Sequence, residues 1–184
     1  MTDFLQDHPD GQVIAMDEMS LYFQATTTRL WSPVGQTPIV RLAPQRDHIH
    51  FYGALNVRNG HQFALPCAQM SSEITADFLR DLFGCYPTQP ILLLCDRASW
   101  HKGEAVHSLL AQHPRVETIF FPPACPDLNP QEHVWSLARE AVSHNHTLSD
   151  FPSLILAFLR FLSSQPFPFD WLERYVPPIL LRQV

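Results

Sequence analysis

Apolar and polar positions alternate along residues 12–23. Val13, Ala15, Asp17, Met19, Leu21 and Phe23 fall on one face, with Ile14, Met16 and Tyr22 on the other. Both faces are largely apolar, which predicts a central strand over Gln12–Phe23, with the carboxylate of Asp17 set in an otherwise greasy row. Residues 1–11 are polar and end in the turn signal Pro9-Asp10-Gly11, so they read as a frayed polar leader to a single domain spanning 12–184. Residues 24–47 carry Trp31-Ser32-Pro33 and Gly35-Gln36-Thr37-Pro38 and read as a loop or irregular hairpin. Two strands, His48–Val57 and His61–Pro66, flank Arg58-Asn59-Gly60, where Asn-Gly is a hairpin signal. Ser71 or Ser72 caps a helix to about Phe83, with Ile74, Phe78, Leu79 and Leu82 as its apolar stripe.

The run Ile91-Leu92-Leu93-Leu94-Cys95 is unbroken, as in a strand buried on both faces, and it stops at Asp96. A helix over His101–His113 and a strand over Val116–Phe121 follow, until Pro122-Pro123 ends the strand. Asn129 then caps a helix with Pro130 in its first position, and Val134, Leu137, Ala138 and Ala141 make the buried stripe. A last helix runs from near Asp150 to about Leu162. Three strands, then alternating helices and strands, then helices, predict a mixed α/β sheet with helices on its faces.

Composition narrows the class. Hydrophobic residues are 46% and charged residues 16% of 184, against a charged share of about 25% in ordinary domains, which excludes disorder. No apolar run approaches the roughly 20 residues needed to cross a bilayer, and the acidic N-terminus lacks the basic start of a signal peptide. A cytoplasmic location with no membrane partner is expected. The net charge is −6, and Lys102 is the sole lysine. That balance is unlike a free-standing nucleic-acid binder, so any DNA contact must be local, metal-assisted or shared with another domain. Cys67, Cys85, Cys95 and Cys125 form no CxxC pair and read as reduced, mostly buried thiols. His48-x-His50 and His144-x-His146 lack helical i,i+4 spacing and a neighbouring Cys pair, so zinc is not expected.

Three carboxylates stand out by position: Asp17 within a central strand, Asp96 at the carboxyl end of a buried strand, and Glu132 in the first turn of a helix. Open α/β sheets place their sites at strand carboxyl ends. Acids meeting there repel one another unless a hard dication joins them, and magnesium or manganese suits such oxygen ligands. Each acid also has a structural reading. Asp96 can cap the following helix, Glu132 fits the third position of a capping box with Asn129, and Asp17 can pair with a buried arginine. Spacing alone leaves these readings open.

The surrounding residues go further. Asp96-Arg97-Ala98-Ser99-Trp100-His101-Lys102 and Phe121-Pro122-Pro123-Ala124-Cys125-Pro126-Asp127-Leu128-Asn129-Pro130-Gln131-Glu132-His133-Val134-Trp135 closely resemble two motifs of the DDE transposases. The likeness is to the mariner-like superfamily and its bacterial insertion sequence 630 branch. Met16-Asp17-Glu18 resembles the first catalytic strand, and 35 residues separate Asp96 from Glu132, as that family requires. The resemblance covers roughly residues 12–145. It implies a ribonuclease-H-like, retroviral-integrase-like fold: a mixed five-stranded sheet flanked by helices. It further implies that Asp17, Asp96 and Glu132 hold two magnesium ions, for which manganese can substitute, and that the enzyme cuts and joins DNA strands at insertion-sequence ends.

The family commonly has asparagine after its second aspartate, where this chain has Arg97. That arginine is expected either at the scissile phosphate or paired with a carboxylate, and His101 and Lys102 are expected at the DNA backbone. The partners implied are insertion-sequence ends and target DNA at the bacterial nucleoid, a helix-turn-helix domain in cis or trans, and a second copy of the chain. The first strand begins about a dozen residues in, so the reading is an isolated catalytic domain, a split-frame product or an inactive remnant. The alternative enzyme is another ribonuclease-H-like nuclease.

Overall fold

The computed structural model describes residues 1–26, 28–29, 31–37, 39, 46–168 and 170–176. The core of the fold is one five-stranded sheet in the order β3-β2-β1-β4-β5. Its strands are β1 (Gln12–Tyr22), β2 (His48–Asn56), β3 (Gln62–Cys67), β4 (Ile91–Cys95) and β5 (Val116–Phe120). β1, β2 and β3 run antiparallel, while β4 joins β1 in parallel and β5 joins β4 in parallel. Helices α1 (Thr2–Asp7), α2 (Ser72–Cys85), α3 (Glu104–Ala111), α4 (Pro130–Ala138), α5 (Phe151–Ser163) and α6 (Trp171–Tyr175) cover the two faces. This is the ribonuclease-H-like sheet that the motif resemblance implies.

The alternation in β1 sorts the core into two layers. Val13, Ala15, Met19 and Leu21 pack with Leu92 and Leu94 of β4 beneath α4, α5 and α6. Ile14 and Met16 pack with Ile91, Leu93 and Cys95 beneath α2 and α3. A strand whose odd and even residues are both buried must lie in the middle, and β1 does. The hairpin between β2 and β3 turns at Asn59-Gly60, where Gly60 has φ +73°, a conformation that glycine adopts without a Cβ clash.

Three expectations need amendment, and part of a fourth lies outside the described residues. The polar leader instead forms α1, because Phe4 and Leu5 are buried in the first core layer and anchor it. The helix expected over His101–His113 begins as a 3₁₀ turn, Ser99–Lys102, and becomes α3 only after Gly103. The short α6, with Trp171 and Leu172 buried, lies beyond the last expected helix. Of the loop expected over residues 24–47, positions 27, 30, 38 and 40–45 lie outside the described residues.

One close approach fixes α4 on the sheet. Trp135 is fully buried over Gly53 of β2, and a Cβ at position 53 would stand 2.4 Å from the indole and 2.6 Å from Gln131 Nε2. Overpacking of this kind costs typically 1–3 kcal/mol or more. Gly53→Ala is therefore expected to lower the free energy of unfolding by about 3 kcal/mol, read from urea melts. An unchanged melt would show that α4 does not need this contact.

Candidate active site

β1 and β4 bring the first two acids side by side. Their parallel register pairs Ala15 with Leu94, and two residues further along each strand stand Asp17 and Asp96. The step of two keeps both on the face that α4 covers. α4 delivers the third acid. Asn129 caps that helix through its side-chain oxygen, which accepts from Gln131 N–H at 3.1 Å, and its Nδ2 donates to the Met16 carbonyl at 3.1 Å. One buried side chain thus ties the start of α4 to the peptide that precedes Asp17.

Asp17, Asp96 and Glu132 line one cleft of about 400 Å³, with Arg97, Asn129 and the loop Phe121–Pro126 as further walls. Ala124 in that loop has φ +56°, a left-handed backbone unusual for a residue with a Cβ. Among the described residues no three His, Cys, Asp or Glu side chains stand close enough together to hold a metal ion as they lie. The acids share a cleft without converging on a point.

The structural readings of these acids fare differently. The capping box at Glu132 is not made, because Asn129 N–H donates instead to the Pro126 carbonyl at 2.8 Å. Asp96 does make a local turn, its Oδ1 accepting from Ala98 N–H at 2.9 Å. Asp17 Oδ2 is buried and finds no hydrogen-bond partner among the described residues. Burial pushes the Asp17 carboxyl up to about 8, and the charges of Glu132, Glu18 and Asp96 add to the rise. The influences on that carboxyl include no cation that would replace an arginine partner. An orphaned buried carboxylate oxygen, beside further acids and an all-oxygen donor set, fits a hard dication such as magnesium or manganese.

The residues expected at DNA separate. Lys102 is exposed, its ammonium 5.5 Å above the Phe120 ring. Arg97 is exposed at the cleft wall, and its Nε donates to the Phe121 carbonyl at 3.2 Å. His101 does not face solvent: its side chain is 1% exposed, with Nε2 2.8 Å from Glu18 Oε1 and Nδ1 2.8 Å from Asp96 Oδ1. It is therefore withdrawn from the expected backbone contact, since DNA cannot reach it. Burial alone would lower the His101 pKa, but the hydrogen bond and charge of Glu18, then the charge of Asp96, raise it above the usual value.

Glu18 is the residue that motif reading left without a part. Its side chain faces away from Asp17, since neighbours in a strand point to opposite faces, and Trp100 Nε1 donates to its Oε2 at 3.1 Å. The signal was present as a second acid in an apolar strand and as a Trp-His pair shortly after Asp96.

A family model described as DDE superfamily endonuclease matches residues 12–155. The chain is 25% identical over 164 residues to an uncharacterized 39 kDa protein of insertion element IS630 from Shigella sonnei, covering 88% of this chain and 47% of that protein. It spans about half the length of that relative. Among solved structures, the Mos1 transposase paired-end complex with left transposon end matches at TM-score 0.64 and 16% identity, over 86% of this chain and 50% of that one. The mariner Mos1 paired end complex with Mg matches at TM-score 0.66 and 16% identity, over 98% of this chain and 55% of that one. At such identities the structural likeness speaks for the fold.

Proposed function

This chain belongs to the DDE superfamily endonucleases, and from that membership we propose that it is the catalytic domain of an insertion-sequence transposase. It cuts DNA at element ends and joins the freed 3′-hydroxyl to target DNA, with Asp17, Asp96 and Glu132 as the metal-holding triad. The observation that carries the reading is the shared cleft, into which three separate segments bring one acid each. When bound, two magnesium or manganese ions would supply Lewis-acid stabilisation of the attacking and leaving oxygens.

The protein's own part is positioning, which suits phosphoryl transfer, where little covalent chemistry is asked of side chains. β1 and β4 hold Asp17 and Asp96 at one level, and Asn129 fixes the base of α4 against β1 so that Glu132 enters from above. Arg97, anchored through Nε on the Phe121 carbonyl, keeps its terminal nitrogens for the scissile phosphate. Lys102 serves the DNA backbone from the surface. Among the described residues no helix is long and apolar enough to cross a membrane. The proposed work lies at the bacterial nucleoid, in the cytoplasm. A helix-turn-helix domain in cis or trans reads the element ends, and a second copy of the chain pairs them.

Two outcomes test this reading. Asn129→Ala removes both a cap and the tie to Met16; loss of an N-cap costs about 1 kcal/mol, so stability should fall by that amount or more in thermal melts while metal-dependent nicking falls further. Normal nicking would release Asn129 from the site. With net charge −6 and one lysine, the chain should bind DNA weakly and without sequence preference, since Lys and Arg supply most non-specific affinity. That binding should require a divalent ion to offset the acidic trio. Gel shifts of element-end and scrambled duplexes in calcium, which blocks cleavage, check this. Tight, sequence-selective binding would reveal a base reader within these residues.

A further inference from the structure

Glu18, Trp100 and His101 make a closed set of contacts behind the cleft. His101 lies between two carboxylates, 2.8 Å from each, and both it and Glu18 are almost wholly buried, with side chains 1% and 5% exposed. Each ring nitrogen faces a carboxylate oxygen, and each contact is a hydrogen bond only where the nitrogen carries a proton. Glu18 uses both its oxygens here, one for His101 and one for Trp100 Nε1 at 3.1 Å. Glu18 is therefore committed away from the cleft.

The arrangement links the two halves of the site. Glu18 is the chain neighbour of Asp17, and Trp100 and His101 form the 3₁₀ turn that follows Asp96. His101 Nδ1 also lies 3.3 Å from the Asp96 carbonyl oxygen, so the ring holds both the backbone and the side chain of that residue. Asp96 is itself half exposed at the end of β4. With Oδ1 engaged by His101 and by Ala98 N–H, its carboxylate cannot swing freely, and Oδ2 is the oxygen left for the cleft.

We propose that Glu18, Trp100 and His101 are positioning residues that brace Asp96 against Asp17 and hold its carboxylate ready for the metal. The brace rests on the triad reading above, because only there does the aim of Asp96 matter. Partners behind a metal ligand restrict its orientation, and their loss typically lowers metal affinity or activity by about 10–100-fold.

Manganese binding to the full chain, followed by calorimetry, tests the brace directly. His101→Ala and Glu18→Gln should each weaken manganese binding by about 10–100-fold, with the metal-free far-ultraviolet dichroism unchanged. Nicking should return when manganese is raised to saturate the variant, since the ligands themselves remain. Should these variants fail to fold, Trp100→Phe decides the matter: it keeps an aromatic ring and removes only the donor to Glu18 Oε2, and a smaller loss of affinity in the same direction is expected. Folded variants that bind manganese as the parent does would overturn the brace alone. A parent chain that binds no manganese, or binds it equally well as Asp96→Asn, would overturn the triad reading and the brace with it.

Discussion

Replacing Asp17 or Asp96 by Asn, or Glu132 by Gln, is expected to abolish metal-dependent nicking of supercoiled DNA, each by on the order of 10³-fold or more. A metal ion supplies several kcal/mol of charge stabilisation to such a reaction, and each 1.36 kcal/mol is tenfold in rate. The three variants should fail alike, because an ion held by two of three carboxylates is neither placed nor bound as before. Glu132→Gln is the most informative. A capping glutamate would tolerate the change, since glutamine makes the same reciprocal bond. Here Asn129 N–H is already taken by the Pro126 carbonyl, so the Glu132 side chain owes nothing to the helix start. Its variant should lose activity and manganese affinity while melting, without metal, no lower than the parent, since the charge of Glu132 adds to the cost of ionising Asp17. Parent-like nicking by Glu132→Gln would remove Glu132 from the triad.

Much of this site was legible because its elements are local. The apolar run 91–95 and the alternation in β1 need only side-chain period and burial, and they place Asp17 and Asp96 at the sheet without knowledge of tertiary contacts. Asn129-Pro130 marks a helix start for reasons internal to the chain, and α4 begins there. Asn59-Gly60 marks its hairpin in the same way. What escaped depends on partners far along the sequence. His101 looks like a surface residue beside Lys102, and only the fold shows it beneath the sheet against Glu18, 83 positions away. α1 looks polar by count, yet Phe4 and Leu5 suffice to bury one side of it. The tie from Asn129 to the Met16 carbonyl spans 113 positions, and no local pattern encodes it.

Asp17 should also make the metal-free protein less stable as pH rises. A carboxyl held near 8 in the folded chain, against about 3.9 when unfolded, keeps its proton in the native state through the intervening range. Over that range the folded state binds more protons than the unfolded one, so stability falls with rising pH. The penalty is absent below about pH 4, grows through neutrality and levels off above about pH 8, reaching about 4 kcal/mol at pH 7. Asp17→Asn has no proton to lose there. In chelator its stability should match the parent near pH 4 and exceed it increasingly toward pH 8, as urea melts at several pH values would show. Adding magnesium at pH 8 should narrow that difference. An ion bound to the folded state at 100 times its Kd stabilises by about 2.7 kcal/mol, and the parent alone keeps the full set of ligands to gain it. Parallel pH profiles for parent and variant in chelator would mean that Asp17 is ionised in the folded protein and already compensated by something other than a metal.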